Sequence, residues 1–117
     1  MIYTIVVRGK PVPKERPRRG KYGNMYTPEK TKEYEKLIAN NARMVIPEPL
    51  KGNVRIEIKL YTRKVTGDLD NYIKTILDGL NSVAYDDDKQ VTTIYAQRFE
   101  SEIERVEIYV SEDTGRR

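Results

Sequence analysis

Residues 54–60, with the sequence VRIEIKL, alternate strictly between apolar and charged side chains. Successive side chains of a β-strand point to opposite faces, so this pattern predicts a strand with one buried face and one wet face. A buried sheet face has to be covered by helices or by a second sheet. The rest of the chain must therefore supply that covering layer.

Two segments have the apolar spacing of amphipathic helices. The first starts at residues 27–29 (TPE), where a capping hydroxyl, a proline at the first helical position and an acid in the first turn favour a helix start, and it stops at Pro47. The second runs from Asp68 to about Ser82. These two helices are the expected covering layer.

Three further segments predict strands: residues 2–7, 91–99 and 106–110. A hairpin turn near Ser101 is expected to join the last two. The element order is then β-α-β-α-β-β, which predicts an α+β fold with a mixed sheet of about four strands and two helices packed on it. At 117 residues, positions 1–117 should form a single domain.

The composition excludes several kinds of site. The chain has no cysteine and no histidine, so it holds no Cys/His zinc site, no Ser-His-Asp triad and no histidine general base. No apolar run is long enough to span a bilayer, and the first residues lack a signal-peptide pattern. We therefore expect a cytoplasmic protein with no membrane contact. Its net charge of +4 and pI near 9.2 permit an anionic partner such as nucleic acid.

Residues 8–26 are expected to form a basic, proline-rich loop or arm. Cations on such a loop suit phosphate backbones, although the loop could also be basic only for solubility. The candidate DNA-binding residues of this arm are Lys10, Lys14, Arg16, Arg18, Arg19 and Lys21. At the other end of the chain, residues 112–117 are expected to be a frayed tail.

Six of the seven aspartates lie within residues 68–88. One interpretation is structural. Asp68 caps the second helix, the helix dipole favours the negative charge of Asp70 in the first turn, and Lys74 pairs with Asp70 four residues away. Two carboxylates about 4 Å apart repel by ~4 kcal/mol at an effective dielectric constant of 20. A converging cluster would therefore need a cation, a counter-charge or raised pKa values.

The acidic triplet at residues 86–88 decides between these interpretations. If the strand that follows it pairs near the strand at 54–60, the triplet can fold back over the start of the second helix. Several carboxylates would then converge. Aspartate oxygens without histidine or cysteine suit Mg²⁺, with Mn²⁺ as a substitute. Such an ion would polarise a phosphodiester and lower the pKa of an attacking water.

Residues 67–91, GDLDNYIKTILDGLNSVAYDDDKQV, resemble the RusA family of Holliday-junction resolvases. The family's Asp-x-Asp-Asn-x-x-Lys motif corresponds to residues 68–74, and its Asp-Asp-x-Gln-Val motif corresponds to residues 87–91. The segment PVPKERPRR at 11–19 is also similar to the Pro/Lys/Arg-rich segment of phage and prophage members. The match in sequence is concentrated in these stretches.

The resemblance implies a homodimeric, Mg²⁺-dependent endonuclease that resolves four-way DNA junctions by paired nicks in recombination and repair. By motif position, Asp68, Asp70 and Asp88 would be the catalytic, metal-binding acids and Lys74 the catalytic lysine. Asp86 is an extra acid beside the motif pair, so Asp87 is the alternative ligand to Asp88. The resemblance also implies a phage, prophage or bacterial origin.

Two alternatives stay open at this point. The chain could be a non-catalytic DNA-binding module whose acids only cap and solvate a helix. It could also be a related nuclease that prefers flaps or replication forks. A metal-dependent cleavage assay on branched DNA separates the first alternative from a resolvase, and a panel of branched substrates separates the second.

Overall fold

The computed structural model describes residues 1–15, 18–20, 23, 25–26 and 28–115. The strands are β1 (Ile2–Arg8), β2 (Arg18–Arg19), β3 (Met25–Tyr26), β4 (Val54–Thr62), β5 (Val91–Glu100) and β6 (Arg105–Glu112), and the helices are α1 (Glu29–Arg43) and α2 (Leu69–Leu80). None of these helices is long and apolar enough to cross a bilayer. Within residues 8–26, expected to be a loop, β2 and β3 pair as a short antiparallel ribbon.

The main sheet has the strand order β1-β6-β4-β5. Strand β5 is parallel to β4, whereas β6 is antiparallel to both β1 and β4. The sheet is therefore mixed and four-stranded, and two helices interrupt its strands in the predicted β-α-β-α-β-β order. The predicted fold class is confirmed.

The predicted hairpin between the last two strands is wrong. Strand β4 lies between β5 and β6, so these consecutive strands do not pair. The reason is that α2 carries the chain back across the sheet, which makes β5 a parallel neighbour of β4, as a strand-helix-strand crossover requires. The other edge of β4 is then open to β6, and the connection near Ser101 spans the end of β4, where the Ser101 amide donates to the Thr62 carbonyl at 2.9 Å.

The alternation along β4 positions the core. Val54, Ile56, Ile58 and Leu60 are buried, and the side chains between them are half-buried or exposed. Buried residues of β6 and of both helices belong to the same apolar cluster. The helices thus cover one face of the sheet, and the other face carries charged and aromatic side chains, among them Lys59 and Tyr61.

The expected fraying of residues 112–117 is wrong for its first two residues. Glu112 is the last residue of β6, and the Asp113 amide donates to the Asn53 carbonyl at 2.8 Å. The hydroxyls of Thr93 and Thr92 donate to the Asp113 carboxylate and lower its pKa to about 2. Residues 116–117 lie outside the described residues.

The start of α1 lies one residue later than predicted. Pro28 is the N-cap and Glu29 is the first helical residue, whereas the sequence favours Pro28 as the first helical residue. Thr27, the predicted capping residue, lies outside the described residues. A shift of one residue at a helix end is within the usual spread of boundary assignment.

The two helices approach each other closely at Gly79. A Cβ atom placed there would lie 2.8 Å from the Ile38 Cβ and 3.0 Å from the Glu35 carbonyl oxygen. These atoms are close to the backbone of α1, so a side-chain rotation cannot relieve the contact. Only glycine allows this helix spacing.

Replacing Gly79 tests this packing. Alanine gains up to ~1 kcal/mol of helix propensity over glycine, but overpacking typically costs about 1–3 kcal/mol. We expect Gly79→Ala to lower the free energy of unfolding by roughly 1–2 kcal/mol in urea titrations. Gly52→Ala is the matched control, because no atom lies within 4 Å of its added Cβ. A Gly79→Ala protein as stable as this control would contradict the close packing.

Candidate active site

Asp68 and Asp70 lie at the N-terminus of α2, where both side chains are exposed. Asp68 is the N-cap residue, but its carboxylate makes no capping hydrogen bond. No ion pair joins Asp70 to Lys74, which is also exposed, among the described residues. The structural interpretation of these acids, a side-chain cap with an i,i+4 pair, is therefore wrong, and both carboxylates face solvent.

The turn that presents these acids has an unusual backbone. Gly67, directly before Asp68, has φ +69°, a conformation that side-chain-bearing residues seldom adopt. The Tyr72 hydroxyl donates to the Thr66 carbonyl at 3.1 Å. The Arg98 guanidinium donates to the carbonyls of Thr66 and Gly67 at 2.8 and 3.0 Å. The turn is thus anchored from α2 and from β5.

A second anchor holds the acidic triplet. Residues 88–90 form a 3-10 turn that ends at the start of β5. The Gln90 side-chain oxygen accepts from the amides of Asp86 and Asp87 at 2.8 and 3.0 Å. Its side-chain nitrogen donates to the carbonyls of Leu50 and Gly52 at 2.7 and 2.9 Å. One amide side chain therefore fixes the triplet against the chain that precedes β4.

The members of the triplet differ in their surroundings. Asp86 forms a surface ion pair with exposed Lys51 at 3.1 Å. Asp88 lies beside the buried Tyr85 hydroxyl and near Asp78. Burial and the neighbouring charges of Asp78 and Asp87 raise the pKa of Asp88. The hydrogen bond from Tyr85 lowers it, but the net shift is upward. These surroundings disfavour the charged form of Asp88.

The expected convergence of the acids does not occur within one chain. Asp88 lies beside the C-terminal half of α2, near Asp78, whereas Asp70 lies in the first turn of this helix. Asp78 lies eight positions after Asp70, which is about 12 Å along the helix at 1.5 Å per residue. Magnesium ligands lie about 2.1 Å from the ion, so carboxylates so far apart cannot share one. No three acidic residues among those described form a metal-sized group.

The cause is the direction of β5. Pairing of the following strand with β4 was the condition for the triplet to fold back over the start of α2, and β5 does pair with β4, in parallel. Parallel pairing has the opposite effect, because the crossover helix starts at the end of β4 and finishes at the beginning of β5. The chain thus has two acidic groups, Asp68 with Asp70 and the triplet at 86–88, and they lie at opposite ends of β5.

The candidate DNA-binding residues have different positions. Lys10 is exposed. Lys14 contacts Glu35 at 2.7 Å and Asp78 at 2.9 Å, and its amide donates to the Asn71 carbonyl at 2.9 Å. Burial lowers the pKa of Lys14, but the two carboxylates outweigh burial and raise it overall. Lys14 therefore ties the arm to both helices.

The remaining arm cations are less completely described. The backbone of Arg18–Arg19 forms β2, and Arg16 and Lys21 lie outside the described residues. The arm also borders a cavity of about 630 Å³, whose opposite walls include Tyr34 of α1 and Gly67. Exposed Lys10 is part of the same lining. The arm thus reaches the turn that precedes the aspartates.

Sequence reasoning missed the anchoring roles of Gln90 and Arg98. A signal for Arg98 was present: it has the same parity along β5 as Ile94 and Ala96 and so belongs to the helix-facing side of the sheet. An arginine on that side requires polar partners. Gln90 also carried a local signal, because Asp87 and Gln90 have the spacing of a capping box, whereas its bonds to Leu50 and Gly52 reach 38 to 40 residues back in the sequence.

Comparisons with known proteins agree with the fold and the motifs. The family model described as Endodeoxyribonuclease RusA matches residues 8–111. The chain is also 32% identical to an uncharacterized Bacillus subtilis (strain 168) protein, YqaN, over 91% of this chain and 93% of YqaN. The match begins at the last residue of β1 and covers both helices, β4, β5 and nearly all of β6. This chain therefore belongs to the RusA family of endodeoxyribonucleases, which are of the Holliday-junction-resolvase type.

Proposed function

We propose that this protein is a Mg²⁺-dependent endodeoxyribonuclease that resolves four-way DNA junctions by paired nicks during recombination and repair. The observation that carries the proposal is the state of the motif acids. Asp68 and Asp70 are exposed and make no cap or ion pair among the described residues, in a chain that belongs to a nuclease family. Carboxylates without a structural partner are suited to holding a hard cation.

The division of the acids supports a homodimer. Strand β5 forms one edge of the sheet, and Ile94, Tyr95 and Phe99 along it are exposed. Antiparallel pairing of β5 with its copy about a two-fold axis would place the start of one strand beside the end of the other. Because each end of β5 carries one acidic group, the Asp68–Asp70 turn of one copy would then face Asp88 of the other.

In the proposed site, Asp68 and Asp70 from one copy and Asp88 from the second would hold the metal ion, with Asp87 as the alternative to Asp88. When bound, Mg²⁺ supplies polarisation of the scissile phosphate and a lower pKa for the attacking water, and Mn²⁺ could substitute for it. Lys74, one turn along α2 from Asp70, would offset negative charge on the phosphate oxygens or the leaving group. Two such sites related by symmetry match the two nicks that resolution requires.

The shared site can be tested by mixing inactive variants. We expect Asp70→Asn and Asp88→Asn each to abolish junction cleavage, because each removes a ligand charge from both sites. Heterodimers of the two variants would contain one intact site. Statistical mixing should therefore restore roughly a quarter of wild-type nicking. The product on a four-way junction should show nicked strands on a denaturing gel and an unresolved junction on a native gel.

Mixing Asp68→Asn with Asp70→Asn is the matched control. Both changes fall in the same half of the site, so every site of the heterodimer lacks one acid and activity should stay absent. Asp86→Asn should remain active alone, since Asp86 pairs only with exposed Lys51 among the described residues. If tagged heterodimers of Asp70→Asn and Asp88→Asn form without regaining activity, the two-chain site is wrong.

Lys74 provides a second test. Since it makes no ion pair among the described residues, Lys74→Gln should change the free energy of unfolding by less than about 0.5 kcal/mol. A lost electrostatic contact in the transition state should lower the single-turnover rate by on the order of 100-fold. Lys36→Gln, on an exposed position of α1, is the control. A normal rate for Lys74→Gln would remove it from the site.

The arm makes a prediction about salt. Phosphate contacts give a slope of log K against log salt concentration of roughly −0.9 per neutralised phosphate on duplex DNA. Replacing Arg16, Arg18 and Arg19 with alanine should weaken junction binding, flatten this slope and leave the melting temperature nearly unchanged. Lys14→Ala should instead lower the melting temperature, because it leaves Glu35 and Asp78 without their shared cation. A triple variant with the wild-type slope would exclude these arginines as phosphate contacts.

A further inference from the structure

We infer that Arg98 of β5 is a positioning residue that holds the turn presenting Asp68 and Asp70. It does not belong to either family motif recognised in the sequence, and it lies near the end of the strand, 28 residues after Asp70 in the chain. Its action on cleavage rests on the proposed function, whereas its effect on the turn can be measured without any nuclease activity.

The contacts of the guanidinium are specific to this turn. One terminal nitrogen donates to the Thr66 carbonyl at 2.8 Å and the other to the Gly67 carbonyl at 3.0 Å. The guanidinium carbon lies 5.0 Å from the centre of the Tyr72 ring, within the range of a cation–π contact. Two parallel donors in a planar fork fix the two consecutive carbonyls in direction as well as in distance.

The turn has few other restraints. Residues 63–68, which connect β4 to α2, are all exposed. The side chains of Asp68 and Asp70 make no hydrogen bond or ion pair among the described residues that could fix them. Their positions therefore follow from the backbone. This backbone has the positive φ of Gly67 between the Thr66 and Gly67 carbonyls, directly before Asp68. Without Arg98, the Tyr72 hydroxyl would still hold Thr66, but no described side chain would hold Gly67.

A geometric error of about 1 Å in a catalytic group is enough to slow a reaction 100-fold. Loss of the fork should thus affect the chemical step more than the binding of DNA, because the turn presents acids and not phosphate-binding cations. A lysine at this position has a single charged nitrogen and no planar fork, so it can hold the two carbonyls only in part. These expectations separate a positioning role from a phosphate contact.

The experiment compares Arg98→Met and Arg98→Lys with wild type on a four-way junction in Mg²⁺, under single-turnover conditions. We expect the cleavage rate of Arg98→Met to fall at least 10-fold while its junction dissociation constant changes less than about 2-fold, with Arg98→Lys between the two. In parallel, hydrogen–deuterium exchange without DNA or metal should become faster in Arg98→Met at the amides of residues 67–71. Amides in β4 and β6 should keep their wild-type rates.

Arg105→Met is the matched control. Arg105 also lies over a tyrosine ring, at 3.8 Å from the centre of Tyr61, and donates to the Ile103 carbonyl at 3.1 Å, but it belongs to the open face of the sheet. It should change neither the exchange of residues 67–71 nor the cleavage rate. Arg98→Lys, which keeps the charge but loses the planar fork, provides a milder variant if Arg98→Met fails to fold. It should speed exchange at residues 67–69.

Four results would overturn the inference. The first is unchanged exchange at residues 67–71 in Arg98→Met, and the second is unchanged exchange in Arg98→Lys if Arg98→Met does not fold. The third is a normal cleavage rate in a folded Arg98→Met protein, and the fourth is a loss of junction binding that accounts for the whole loss of rate. If wild-type protein cleaves no branched DNA, the proposed function fails, while faster exchange in the variants would still support the anchoring role.

Discussion

The parallel pairing of β5 with β4 is the constraint on which the rest of the structure depends. It requires a crossover, and α2 is that crossover. Because a crossover helix runs antiparallel to the strands it connects, its two ends lie at opposite ends of the sheet. The acidic motif before α2 and the acidic motif after it are separated for this reason, although only 17 residues lie between Asp70 and Asp88 in the sequence.

This separation has an electrostatic consequence. Carboxylates held about 4 Å apart would repel by ~4 kcal/mol at an effective dielectric constant of 20, a large fraction of the stability of a small domain. Distributing the acids over both ends of β5 avoids this cost in the single chain. Convergence would occur only in an assembly where a metal ion can offset the charge, which is the arrangement proposed here.

Each acidic group is held by one polar side chain whose partners are backbone atoms. Gln90 bonds four backbone groups around the triplet, and Arg98 bonds two carbonyls of the turn before Asp68. Arg98 belongs to β5, and Gln90 ends the 3-10 turn directly before this strand. Asp68 and Asp70 are thereby left without bonds to protein donors among the described residues, whereas Asp88 accepts from Tyr85 and Asp87 caps the 3-10 turn. A site that must accept a cation has to be shaped by such neighbours, since an acid already bonded to protein donors is a poorer ligand.

The sequence by itself determined the four strands of the main sheet, the two helices, their order and the candidate acids. Alternation along β4, apolar spacing along both helices and the spacing of Asp68, Asp70 and Lys74 are local properties of the chain. The ribbon of β2 and β3 within the expected loop was not predicted. The sequence could not determine which strands are neighbours. Residues far apart in the chain form the pairing of β6 with β4, the bonds of Gln90 to Leu50 and Gly52, and the bonds of Arg98 to Thr66 and Gly67. The distance between the Asp68–Asp70 turn and the triplet at 86–88 follows from such contacts. Only tertiary structure decides these, since they depend on how the sheet is ordered and on the direction in which α2 crosses it.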